Sequence, residues 1–305
     1  MVTPEQAMPA GGAVQPARYG EVYDRGYQHY DGARLGRTHA FWALVRYSMK
    51  RAVGIKKGWT SKIIPIFLYV AVALVVVIPL GIMAFVPSAS VLEYWDFFNF
   101  IFLILGIFVA TVAPEMLCGD RRENVLPLYF SRAITRLDYL LAKLVAAAIL
   151  TLTISLIPCT IYWLGRQLLE DSPLTAIKDN ADDLGRIVVS SVMIAAYLGS
   201  IGLTVASFTG RKSIAVAITV VGFGISTALS YALAAALESD VKRFLVYLSP
   251  GELTTMFVYR IFDRPLNDIS TEFGQFLTLW EYGGGMVATI VLGCAVMFWR
   301  YVPNE

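Results

Sequence analysis

Six long apolar runs constrain this chain more than any other feature. They cover residues 63–86, 97–117, 139–164, 187–208, 213–237 and 283–300, and charge within them is confined to Glu115, Lys143 and Arg300 near the run ends. A helix needs about 20 residues to cross ~30 Å of hydrocarbon, and it satisfies its own backbone polar groups where lipid offers no partner. The runs are too long for β-barrel strands, which alternate over ~10 residues. The expected fold is therefore an all-α membrane protein with six transmembrane helices. Only 16% of residues are charged, against about 25% in soluble domains.

The polar segments divide the chain further. Residues 1–37 form an N-terminal tail, rich in Pro, Gly and Ala up to residue 18 and then in Tyr (Tyr19, Tyr23, Tyr27, Tyr30). This second part has the composition of a protein-docking segment and equally of a loose juxtamembrane tail. The tail lacks the apolar core of a signal peptide, so the first span is expected to target the chain. Residues 38–62 read as an interfacial amphipathic helix. Phe41, Leu44, Val45 and Met49 share one side, Arg46, Lys50, Arg51, Lys56 and Lys57 supply basic head groups, Trp42 and Trp59 suit a water–lipid boundary, and Thr38 is the expected N-cap. Residues 63–305 form the six-helix domain. Before its last span, 241–248 and 253–262 are amphipathic around a Ser249-Pro250-Gly251 break and are expected to be short external helices.

Lys and Arg set the expected orientation. With the N-terminus inside, 18 of the 25 basic residues and 9 of the 23 acidic ones fall on the inner side. The positive-inside rule then places both termini in the cytoplasm of a multi-pass protein of the plasma (inner) membrane.

No catalytic machinery is legible. The nearest string to a phosphate loop, Gly210-Arg211-Lys212-Ser213, lacks the first glycine and the spacing, and no HExxH or GxSxG occurs. Cys118, Cys159 and Cys294 have no metal spacing and read as small buried hydrophobes, and His29 and His39 lie in the polar N-terminal region. No metal, cofactor or nucleic acid is expected, and the chain reads as no enzyme. Lys143 is expected to snorkel from the end of its span. The scarcity of ionisable groups mid-span disfavours an ion-coupled carrier.

The loop between the second and third spans is the most informative stretch. It is charged at its start (Glu115, Arg121, Arg122, Glu123), apolar in its middle (Leu126, Leu128, Tyr129, Phe130), and basic again at Arg132. Such a segment could present its apolar residues to a soluble partner while the charges fix register, or lie on lipid head groups. Phe98, Asn99, Phe102, Gly222 and Ser226, on the second and fifth spans, are candidates for a substrate pathway, with lipid-facing aromatics and packing glycines as the plainer alternative.

This loop resembles that of type-2 ATP-binding-cassette (ABC) exporter permeases. The resemblance rests on Pro114-Glu115, the charged cluster 120–123, the apolar 125–130, Ser131-Arg132, Ile134-Thr135-Arg136, Asp138-Tyr139 and Lys143. The chain departs from the pattern at Asn124-Val125, where Gly-Thr is usual, at Ala133, which replaces a proline, and at Pro127. The resemblance implies a permease subunit paired with a second copy or a paralogue. ATP and Mg would be held by a separate ATP-binding subunit, and the loop would serve as the coupling helix, with Arg121, Arg122 and Glu123 contacting the ATPase and 126–130 seated in its groove. Two alternatives stay open: a secondary carrier or channel, and a non-transporting scaffold that binds a cytoplasmic partner.

Overall fold

The computed structural model describes residues 35–55, 58–86, 92–126, 129, 134–237, 240–263 and 277–301. The chain divides into Met1–Leu35 and Gly36–Glu305. Except for Leu35, the first unit, and with it nearly all of the Tyr-rich segment, lies outside the described residues, and everything below concerns the second.

Helix is the only regular structure among the described residues. The elements run α1 (Arg37–Ala52), α2 (Thr60–Phe85), α3 (Tyr94–Arg122), α4 (Arg136–Leu168), α5 (Pro173–Asp179), α6 (Ala181–Phe208), α7 (Lys212–Ala236), a 3-10 helix (Asp240–Leu248), α8 (Pro250–Ile261) and α9 (Leu279–Tyr301). Six of these, α2, α3, α4, α6, α7 and α9, are long and apolar enough to cross a membrane. The chain is a multi-pass membrane protein by architecture.

The spanning helices alternate in direction. Their ends meet in two polar layers, one where α1 packs and one at the opposite end. α6 packs most extensively against α4 and also against α3 and α9. α3 and α6 are the most buried, while α7 and α9 keep most of their surface exposed. Small residues allow the close approach, as membrane helix pairs require. A Cβ on Gly202 of α6 would lie 2.3 Å from Val109 Cγ1 of α3.

α3, α4, α6 and α9 outrun their apolar segments by a few residues, whereas α7 has the length of its run. Polar residues end a hydrophobic run without ending the helix, and at the start of α4 they also cap it, Thr135 accepting from the Asp138 N–H. Asp182 and Asp183 occupy the first turn of α6, where carboxylates complement the helix dipole. Pro65 and Pro79 lie within α2 without ending it. The expected pair of short helices before the last span is present, with the 3-10 helix and α8 meeting at Ser249, whose side chain caps α8. Phe257 is buried as expected, but Phe244 stays half exposed.

Two expectations for the first helix are corrected. α1 starts one residue earlier, with Gly36 as N-cap, so Thr38 lies inside the helix. It also ends at Ala52 rather than running to residue 62. Gly54 adopts φ 78°, and the Gly54 and Ile55 N–H groups donate to the Arg51 and Lys50 carbonyls, the 5→2 and 6→1 bonds of a Schellman stop. Leu44, Val45, Ser48 and Ala52 are the buried face of α1.

Candidate functional site

The apolar faces bring α1 against α3 and α4, and the polar residues left at that end form one connected site. Its centre is Asp120, two residues before the end of α3 and fully buried. Oδ1 of Asp120 accepts a hydrogen bond from Arg51 Nη1 at 2.6 Å. Oδ2 accepts from Lys143 Nζ at 2.7 Å and from Tyr139 Oη at 2.9 Å. Lys143 also donates to the Met116 carbonyl at 3.0 Å. Three donors thus converge on one carboxylate: a guanidinium from α1, and an ammonium and a phenol from α4.

The snorkelling of Lys143 is therefore corrected. Its side chain is 1% exposed, and it turns inward to a carboxylate. Buried charges persist only when paired and hydrogen-bonded, and each of these three is. Arg51 reaches Asp120 because residue 119 is glycine: a Cβ there would stand 1.9 Å from Arg51 Nη2. That second nitrogen then meets Glu123 Oε1 at 3.1 Å.

The other end of α1 makes a matching contact. Arg37 grips Asp138 through two hydrogen bonds of 2.8 Å. Asp138 is the N3 member of a capping box with Thr135, each side chain accepting from the other's backbone N–H, which fixes the start of α4. Arg37 and Arg51 are separated by 14 residues, about 21 Å of helix. α1 therefore spans the gap between the two anchor points, and its ends hold the two flanks of the α3–α4 loop.

The start of that loop is a helix stop. Asn124 sits in left-handed backbone, φ 50°. The Asn124 and Val125 N–H groups donate to the Arg121 and Asp120 carbonyls, again a Schellman pattern, and asparagine tolerates this conformation best after glycine. Tyr129 is half-buried, its ring 5.6 Å from that of Tyr139. Burial, with the nearby Asp120 charge, pushes its phenol up to about 12, so it stays neutral and packs as an aromatic.

The structure sorts the sequence candidates. Arg122 is 69% exposed and Glu123 48%, so both face outward, and Leu126 is half-buried beside them. Arg121 instead donates to the Ser207 carbonyl, which also accepts from Arg300 Nε at 2.7 Å, and Cys118 Sγ donates to the Thr209 carbonyl at 3.3 Å. These groups cap the C-terminus of α6, where the dipole favours cations. Glu115 pairs with Lys212 at 2.6 Å, tying α3 to the start of α7. Leu128, Phe130 and Arg132 lie outside the described residues.

The candidate pathway residues are not brought together. Phe98 is buried in the core and Asn99 is exposed. Gly222 is exposed, and Ser226 donates to the Phe223 carbonyl at 3.0 Å. Only Phe102 lines a cavity, of about 420 Å³ between α3 and α7, opposite Phe223. Among the described residues no cluster of three or more His, Cys, Asp or Glu side chains could hold a metal ion.

Sequence reasoning missed Asp120, Arg51 and Lys143 as one unit. The signal was present as opposite charges at the same ends of consecutive spans, but which of several cations would meet Asp120 depends on helix rotation. No protein-family model matches the chain, and no curated protein matches it.

Proposed function

We propose that this chain is the membrane-spanning permease subunit of an ABC exporter, driven by ATP hydrolysed on a separate subunit. One observation carries the reading: α1 is fastened at both ends to the flanks of the α3–α4 loop, while Arg122 at the loop's entrance faces outward and Glu123, held by Arg51, keeps about half of its side chain exposed. A soluble motor that engages the loop would thereby pull on α1, α3 and α4 together. The resemblance of this loop to the coupling helix of type-2 exporters supports the same reading. So does Asn124, which meets the left-handed geometry at the position where that family usually has glycine.

The contact set is narrower than the motif alone suggests. Arg121 and Glu115 are engaged within the fold and Glu123 is held by Arg51, which leaves Arg122, Leu126, Tyr129 and the exposed side of Glu123, of the described residues, for the ATP-binding subunit. On this reading the α1 end faces the cytoplasm, in keeping with the basic residues gathered there, and a second permease copy or a paralogue completes the translocation path.

An ion-coupled carrier is the rival that one observation favours, because Asp120 and Lys143 are a buried acid–base pair. Their place counts against it. Asp120 lies two residues from the helix end, and its oxygens are already taken by Arg51, Lys143 and Tyr139.

The test is co-expression with a candidate ATP-binding subunit in vesicles. Vanadate-sensitive ATP hydrolysis that collapses when Leu126 and Tyr129 are both changed to Asp supports the reading. Hydrolysis indifferent to those changes, or transport that persists without nucleotide and follows a pH gradient, would sink it.

A further inference from the structure

At the opposite end of the bundle from Asp120, α6, α8 and α9 enclose a cavity of about 760 Å³. This volume falls in the range of small-molecule and cofactor pockets, about 300–1,000 Å³. It is the larger of the two cavities described, and the polar site around Asp120 takes no part in it. Its walls are apolar: Val189 and Met193 from α6, Phe257 and Ile261 from α8, and Leu279 and Val287 from α9.

The space exists because side chains are missing where helices would otherwise fill it. Cβ atoms placed on Gly185 and Gly284 would meet nothing within 4 Å, and one on Gly283 would only graze the Phe257 ring at 3.4 Å. The adjacent Gly285 behaves differently: a Cβ there would lie 2.2 Å from the Tyr247 ring. Gly285 is needed for packing, whereas Gly185 and Gly284 are not. Water is a poor occupant for walls of this kind, and an alkyl chain is a good one.

The mouth has a different chemistry. Asp182 and Arg186 stand one turn apart on α6, on the same face. The Arg186 ion pair with Asp183 is long, 3.5 Å, and its side chain remains 40% exposed. Trp280 is 87% exposed at the same rim, as aromatic residues are at a water–lipid boundary. From Asp182 to Met193 the wall runs 11 residues, about 16 Å. A basic and an acidic group at the mouth of an apolar slot of this length match a head group bearing both a phosphate and an ammonium.

We propose that the α6–α8–α9 cavity binds one zwitterionic phospholipid, with an acyl chain between Met193, Phe257 and Val287, the phosphate on Arg186 and the ammonium on Asp182. This site is independent of the transport reading and stands or falls without it.

Native mass spectrometry of the full chain in mild detergent tests it, with phosphatidylethanolamine and phosphatidylglycerol supplied in equal amounts. The expected result is one retained phosphatidylethanolamine per protomer, in preference to phosphatidylglycerol. Gly284→Trp and, independently, Val189→Trp should each remove that adduct by filling the slot while the protein stays monodisperse and helical. Asp182→Asn, which removes the partner of the ammonium, should abolish the preference between the two lipids, whereas Arg186→Gln should weaken retention of both. Adducts unchanged in both tryptophan variants would overturn the proposal. So would equal retention of the two lipids by the wild type, or an absence of adduct from it, which would mean that the chain itself fills the cavity.

Discussion

The guanidinium of Arg51 reaches the carboxylate of Asp120 at 2.6 Å across the bare Cα of Gly119. This contact joins α1 to the end of α3 inside a site that also holds Lys143. The sign of every substitution there follows from which charge is left without compensation.

Asp120→Asn leaves Lys143 buried without a counter-charge beside Arg51, which keeps only its contact to Glu123. Removing one member of a buried ion cluster costs about 3–5 kcal/mol. The thermal midpoint in detergent should fall sharply, and the double change Asp120→Asn with Lys143→Met should recover part of the loss. A double variant no more stable than the single one would contradict the pairing.

Gly119→Ala should act through Arg51 alone. The added methyl would occupy the place of the guanidinium, so Gly119→Ala and Arg51→Met should each destabilise the protein, and together by no more than the larger single effect. Interacting sites are non-additive in this way. Simple additivity in chemical denaturation would show that the two residues do not share a contact.

The legibility of the fold was uneven for physical reasons. The spans were readable because hydrophobicity over 20 residues is a property of each run alone. The short helices before α9 were readable from their amphipathic pattern and the Ser249-Pro250-Gly251 break. Lys143 was misread because its direction depends on α3 lying against α4, which no single segment encodes. The Arg37–Asp138 contact was missed for the same cause, being set by the angle at which α1 crosses α4.

The clamp at the far end of α1 should be weaker. Arg37 is 62% exposed, and exposed ion pairs contribute little, so Arg37→Gln should leave the midpoint nearly unchanged. Thr135→Val removes the cap of α4 and should cost about 1 kcal/mol. Thermal unfolding followed by circular dichroism separates the two, and the reverse order would contradict the assignment.

Close approach of α3 and α6 depends on Gly202. Gly202→Ala should destabilise the protein because its Cβ would meet Val109 at 2.3 Å, and Val109→Ala in the same chain should relieve it. Failure of the second change to restore the midpoint would mean that the helices separate rather than repack.

The most direct measurement of the central claim is site-specific photo-crosslinking in native membranes, with the reactive group in turn at Arg122 and at Trp280. Both side chains are exposed, and they lie at opposite ends of the bundle. The account predicts a covalent adduct between position 122 and a phosphate-loop ATP-binding protein, and none from position 280. An ATPase captured at position 280 but not at 122, or no nucleotide-binding partner at position 122, would contradict it.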